Sequence, residues 1–222
     1  MSVRSRFDDQ MQKLNADLII MGRTVAKAIS AATASLVSRD KSMLKTVQSL
    51  EQEIDELERD IESLCYKLLL QQQPIARDLR MVSAALKMVT DMERIGDQSV
   101  DIAEIAAIIA NEGFIMETDL ISKMGEAGIE MVDAAIAAFV KNDRDLAQDV
   151  ILCDDRVDTM FAEIKDKLYD LMVSDAQNCR QALDLLMIAK YYERIADHAV
   201  NIAEWVIFSI TGEAKQEVHS HI

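Results

Sequence analysis

Carboxylates recur in this chain at a spacing that stacks them in a column. Glu93, Asp97, Asp101 and Glu104 lie within ERIGDQSVDIAE, and Glu193, Asp197, Asn201 and Glu204 lie within ERIADHAVNIAE one hundred residues later. Intervals of four, four and three residues put such side chains on one face of an α-helix. Packing explains why Ile95, Val100, Ile102 and Ala103 have apolar counterparts in the second copy. It does not explain stacked like charges, which repel, so the pattern calls for something cationic against them. A second acidic pair precedes each column at the same four-residue interval, Glu51 with Asp55 and Asp154 with Asp158.

Two such pairs per half, brought side by side, make a multinuclear metal site chemically reasonable. The expected ligands are Glu51, Asp55, Glu93 and Asp97 in the first half and Asp154, Asp158, Glu193 and Asp197 in the second, with Asp101, Glu104, Asn201 and Glu204 as weaker candidates. Oxygen-only ligation favours iron or another hard divalent cation such as Mn or Mg, with zinc less suited because it more often recruits His and Cys. The competing expectation is a solvated acidic face laced with salt bridges to Arg59, Lys87, Lys165 or Lys190, with Arg94 and Arg194 also available as partners.

Catalytic patterns are missing from the sequence. It has no Glu-x-x-His of the kind di-iron carboxylate bundles use, no G-x-S-x-G, no phosphate-cradling glycine loop and no suggestive Cys-His spacing. The reading is a non-enzyme. The alternative is a carboxylate-bridged di-metal storage or redox bundle. His198 is expected to hydrogen-bond, since the first copy has Gln98 there. The thirteen methionines read as core filler, Trp205 as packing against a neighbouring helix, and Gly22 as a point of close helix approach.

The elements that must position the acids are helical. One proline, six glycines and few aromatics, with half of the residues hydrophobic, describe an all-α protein with a sizeable core. Apolar residues spaced by threes and fours predict helices near 4–37, 40–71, 75–111, 118–141, 143–173 and 178–211. Pro74 is expected in a turn or the first turn of the third helix, and Gly113 near a helix stop. The halves align with an offset of 103 residues early, Ile54-Asp55-Glu56-Leu57 on Val157-Asp158-Thr159-Met160, and of 100 in the last helix. The architecture expected is two tandem, pseudo-repeated antiparallel three-helix bundles, over 1–112 and 113–222, with a frayed tail carrying His219 and His221.

Thirty-nine acidic against 24 basic side chains leave a formal charge of −15. That charge repels nucleic-acid phosphates and anionic lipid alike. No window approaches the length of a spanning helix, and no targeting segment is evident. Three cysteines without a CxxC pair, Cys65, Cys153 and Cys179, read as buried thiols of a reducing compartment, the cytoplasm.

The paired three-helix units, the QQPIARDLR segment opening the third helix, ERIGD, and above all ERIADHAVNIAE resemble the PhoU family, regulators of bacterial phosphate uptake and phosphate signalling. The resemblance covers essentially the whole chain. It implies metal clusters, of iron or other metals, on the repeated Glu/Asp-x-x-x-Asp motif, here Glu51, Asp55, Glu93, Asp97, Asp154, Asp158, Glu193 and Asp197. It also implies a homodimeric adaptor without catalytic activity. Such an adaptor stands between the ATPase subunit of the phosphate ABC transporter and the sensor histidine kinase, and restrains uptake and the starvation response when phosphate is plentiful.

Overall fold

A computed structural model describes residues 3–213 and shows six long α-helices. They are α1 (Val3–Ser38), α2 (Met43–Gln72), α3 (Ala76–Ile109), α4 (Asp119–Lys141), α5 (Arg144–Ser174) and α6 (Cys179–Thr211), with a single 3₁₀ turn, Ala176–Asn178, ahead of α6. The fold is all-α, two copies of an antiparallel three-helix unit. Expected boundaries hold to within about three residues. The tail histidines His219 and His221 lie outside the described residues.

Local chemistry sets the ends. Asp143 caps α5 by accepting a hydrogen bond from the Leu146 amide at 3.1 Å. Gln73 and Asn142 take the left-handed conformation after α2 and α4, as Gly212 does after α6. Pro74 sits in the turn between α2 and α3. Gly113 does not supply a left-handed cap: α3 already stops at Ile109, and the Glu112 amide closes the turn on the Ile109 carbonyl at 3.0 Å.

The apolar stripe of α1 is fully sequestered, with Leu14, Leu18, Met21, Val25, Ile29 and Leu36 at most 1% exposed. Val47, Ile54, Ile61, Leu64 and Leu68 line the buried side of α2. Leu79, three residues before buried Val82, is 42% exposed, because it lies in the first turn of α3, where α2 has just ended. The cysteine expectation is also corrected: Cys65 is buried, but Cys179 is only partly covered and Cys153 is exposed. Burial pushes the Cys65 thiol up to about 12, with Glu62 adding to the effect.

Four helices, α1, α3, α6 and α4, form a central ring in which each packs on the next, while α2 lies against α1 and α3, and α5 against α4 and α6. One continuous core runs through both repeats. The central helices cross antiparallel: Arg80 at the start of α3 donates to the Ser209 carbonyl near the end of α6, and Gln181 at the start of α6 binds Glu112, Gly113 and Ile115 beyond the end of α3. Gly22 serves close approach as expected, since a Cβ there would collide with Ile136 of α4. Its counterpart Gly125 does the same from the other side. A Cβ at Gly125 would lie 2.6 Å from Thr33 Oγ1 and 3.0 Å from the ring of buried Tyr192, whose hydroxyl meets Thr33 Oγ1 at 2.7 Å. Trp205 packs against the common core and also meets Phe208 of its own helix edge-on, with ring centroids 5.8 Å apart.

Replacing Gly125 by Ala sets overpacking of about 1–3 kcal/mol against a helix-propensity gain of about 1 kcal/mol. A net loss of about 1 kcal/mol or more is expected in chemical denaturation. Gly113→Ala, with nothing within 4 Å of the added methyl, should stay within about 0.5 kcal/mol of the parent.

Candidate metal centre

Each acidic pair borders a seam between two packed helices, and a small residue sets the seam's width. Gly96, between Glu93 and Asp97, lets Ile54 of α2 approach so closely that a Cβ at Gly96 would lie 3.1 Å from Ile54 Cδ1. Ile54 is flanked by Glu51 and Asp55, so this contact draws the two acidic pairs together. In the second repeat the corresponding residues are Ala196 and Val157, both buried. A methyl group is gained on one helix and lost from the other, conserving volume. Sequence reasoning passed over this exchange, although it is visible in the aligned repeats.

In the second repeat the four acids lie near enough to act on one another through their charges. Desolvation pushes the Asp154 carboxyl up to about 7, and Asp158, Asp197 and Glu193 add to it through their charges. Asp154 Oδ1 is buried without a hydrogen-bond partner. Desolvation likewise raises Asp197 to about 6, with Glu193 and Asp158 raising it further and Lys190 opposing them. Asp197 keeps an exposed edge, so solvent screens its shift more than that of Asp154. Asp158 is raised by desolvation and Glu193. The Lys190 ammonium contacts Glu193 at 2.6 Å.

The first repeat brings its acids together but distributes them differently. Glu51 is raised by desolvation, then by Asp55 and Asp97; Glu93 is raised by desolvation, then by Asp97, with Glu58 and Asp55 contributing and Arg94 opposing. Glu58 is an acid the sequence reading did not select; it lies one turn beyond Asp55, where the second repeat has Phe161. The Arg94 guanidinium spans Glu93 at 3.3 Å and Asp97 at 3.1 Å, and Arg59 reaches Asp55 at 3.7 Å. Of the salt-bridge partners expected, Arg59 and Lys190 thus serve, joined by Arg94; among the described residues Lys87 and Lys165 do not. An open cleft of about 520 Å³ is lined by Gln48, Glu51, Gln52, Asp97, Asp101 and Glu104.

The weaker candidates Asp101 and Asn201 turn toward the α3–α6 crossing. Desolvation raises the Asp101 carboxyl, and Tyr191 and Arg194 of the other repeat oppose the rise, while Asn201 Nδ2 donates to Asp91 Oδ1 at 3.2 Å, beside His198 Nδ1 at 2.9 Å from the same oxygen. These are equivalent positions of the two repeats, 91 with 201 and 191 with 101, facing each other across the internal pseudo-twofold axis. His198 therefore forms a hydrogen bond between repeats. Glu104 borders the first cleft, and Glu204 occupies the equivalent place on α6.

The donor set is oxygen-rich, partly desolvated and electrostatically crowded, which fits a hard cation. Among the described residues, however, no three His, Cys, Asp or Glu side chains form a group placed to hold one ion.

A carboxyl whose folded pKa lies above its unfolded value binds more protons when folded, so its contribution to stability is full below about pH 4 and falls until about pH 7 for Asp154. In chelator, the melting temperature should decline across that window, and Asp154→Asn should raise stability by roughly 1–2 kcal/mol at pH 8 and flatten the decline. In a double-mutant cycle, Gly96→Ala should be less favourable beside Ile54 than beside Ile54→Val, with a coupling of about 1 kcal/mol by urea unfolding.

The PhoU domain model matches residues 18–106 and 121–206, one segment in each repeat. A phosphate-specific transport system accessory protein PhoU homolog of Aquifex aeolicus is 36% identical over 96% of this chain and 96% of its own. One from Clostridium acetobutylicum is 32% identical over 95% and 96%. The crystal structure of PhoU from Pseudomonas aeruginosa superposes with a TM-score of 0.88 at 31% identity, covering 93% of this chain and all of its own. That of the phosphate transport system regulatory protein PhoU from Streptococcus pneumoniae gives 0.85 at 26% identity, with 93% and 98% covered. With two domain matches spanning most of the sequence and relatives aligned nearly end to end, the chain belongs to the PhoU family.

Proposed function

We propose that this chain is a non-enzymatic regulator of phosphate uptake and of the phosphate-starvation response, active as a negative regulator when phosphate is plentiful. The observation that carries the reading is end-to-end similarity to proteins named as accessory to phosphate-specific transport. In this role the protein works in the cytoplasm as a homodimeric adaptor between the ATPase subunit of the phosphate ABC transporter and the sensor histidine kinase. It docks through protein contacts at the membrane, and no helix among the described residues is long and apolar enough to cross one. An adaptor shifts its partner's equilibrium only if it binds the two transporter states unequally.

Metal binding is part of the same proposal. Glu51, Asp55, Glu93 and Asp97 would hold one cluster, and Asp154, Asp158, Glu193 and Asp197 the other. A bound divalent cation supplies positive charge that offsets the carboxylate repulsion. The buried, unpartnered Asp154 Oδ1 supports this, since an oxygen removed from water without a hydrogen bond is unfavourable unless something cationic meets it.

A phosphate-starvation reporter such as secreted alkaline phosphatase tests the regulator. In phosphate-rich medium, deletion of the gene should switch the reporter on and wild type should silence it; a reporter that stays off in the deletion strain defeats the assignment. The Glu93→Ala, Glu193→Ala double variant should restore silencing only partly if the acidic clusters take part in signalling.

A further inference from the structure

The side of the bundle opposite the acidic seams is formed by α1 and α4, with α2 and α5 at its edges. Their outward residues recur by threes and fours at equivalent positions, Ile20, Arg23, Lys27, Ala34 and Val37 on α1 and Lys123, Glu126, Glu130, Ala137 and Val140 on α4. The charge is reversed between the copies. Arg23 and Lys27 have Glu126 and Glu130 as counterparts, and α4 adds Asp133 where α1 has Ser30. In a chain with 39 acidic residues, α1 carries none after Asp17. Between the two rows runs an open apolar groove of about 390 Å³ over Gly22, Ile136, Ala137 and Val140. Ile20, next to the groove-lining Ile19, is 46% exposed. Among the described residues neither Arg23 nor Lys27 has an acidic oxygen within 4 Å. Arg23 acts on the Asp133 carboxyl only at longer range, opposing the rise that partial burial gives it.

We propose that this face takes a second copy of the chain about a twofold axis parallel to the helices, so that Arg23 and Lys27 of each copy meet Asp133 and Glu130 of the other. The inference rests on the homodimer of the reading above and gives it an interface. Gly22 lies against Ile136 and Gly125 against Thr33, which puts Arg23, Lys27 and Ile20 within one helical turn of the levels of Asp133, Glu130 and Ala137. An axis along the bundle preserves those levels and lays α1 of one copy over α4 of the other. Cations then face acids twice over, as an isologous contact requires, and the second copy's Ile20 comes over Ala137 at the groove. An axis across the helices would instead lay α1 on α1 and α4 on α4, cation on cation and acid on acid. Glu130 also contacts Arg156 of α5 at 3.4 Å, an exposed pair that a second cation can join. Two helices side by side over the 23 residues of α4 present roughly 700 Å² per copy, near the ~800 Å² each partner buries in a standard interface. The α2–α3 and α5–α6 seams of both copies stay outward.

Sedimentation velocity of the full-length protein over a concentration series tests this. Wild type should dimerise, and Arg23→Glu with Lys27→Glu should raise the dimer Kd about 30-fold or more, because four attractive contacts become repulsive. Glu130→Lys with Asp133→Lys should do the same. Mixed in equal amounts, the two double variants should pair with each other about as tightly as wild type pairs with itself. All four positions are exposed, and circular dichroism checks that each variant is folded. A dimer indifferent to both reversals, or reversed variants that do not pair when mixed, overturns the interface and leaves the homodimer standing. Wild type that stays monomeric throughout overturns the homodimer reading and the interface with it.

Discussion

Like charges are held together in this protein by an apolar contact directly beneath them. Carboxylates left to themselves would separate into water. Here they ride on helices pinned by burial, and the decisive contact in the first repeat is Ile54 on Gly96, between the two pairs of acids. Burying an isoleucine contributes on the order of 2–3 kcal/mol, and each helix contributes many such residues. The partial desolvation of Glu51, Glu93, Asp154 and Asp197 follows from that packing, which raises all four carboxyls above their ordinary range. The folded chain is therefore organised around an electrostatic debt that cations relieve: Arg94, Arg59 and Lys190 from within, and divalent ions in the functional reading.

The same duplication that gives two clusters gives an internal pseudo-twofold axis, and the axis constrains which differences between the copies are tolerated. At the α1–α4 crossing, Gly22 opposes Ile136 and Gly125 opposes Thr33, so each repeat supplies a glycine to admit a larger residue from the other. At the α3–α6 crossing, Asp91 meets Asn201 and His198, while Asp101 meets Tyr191. Two identical acids at 91 and 191 facing two at 101 and 201 would place like charges in contact at both ends of the crossing. Replacement of one acid in each pair, by Tyr191 and Asn201, removes that repulsion and supplies hydrogen bonds. Divergence between the repeats is thus a property of their interface.

In the adaptor role proposed above, this arrangement would join charge to shape. The clusters lie on seams within each repeat, α2 with α3 and α5 with α6, while α3 and α6 also form the junction between repeats. Changing the charge at either cluster alters the balance on a helix that holds the two halves together. That is a physical route by which a change of charge at one seam would reach the junction between the repeats.

The helices, their repeat and their acidic columns were legible from sequence because they follow from periodicity. Apolar residues every three or four positions specify a buried helix face, and the same intervals in Glu93–Asp97 and Glu193–Asp197 specify an acidic face whatever the helix packs against. The duplicated spacing likewise singles out the acidic pairs Glu51–Asp55 and Asp154–Asp158. Tertiary structure alone decided who neutralises whom. Arg94 and Arg194 occupy equivalent positions, yet among the described residues Arg94 forms ion pairs with Glu93 and Asp97 and Arg194 forms none with Glu193 or Asp197 within 4 Å. Periodicity also did not reveal that Asp101 and Asn201 serve the crossing, that Glu58 joins the first cluster, or that Cys153 faces solvent. A position's place in its own helix is local information, but the partner opposite it is set by the packing of the whole bundle.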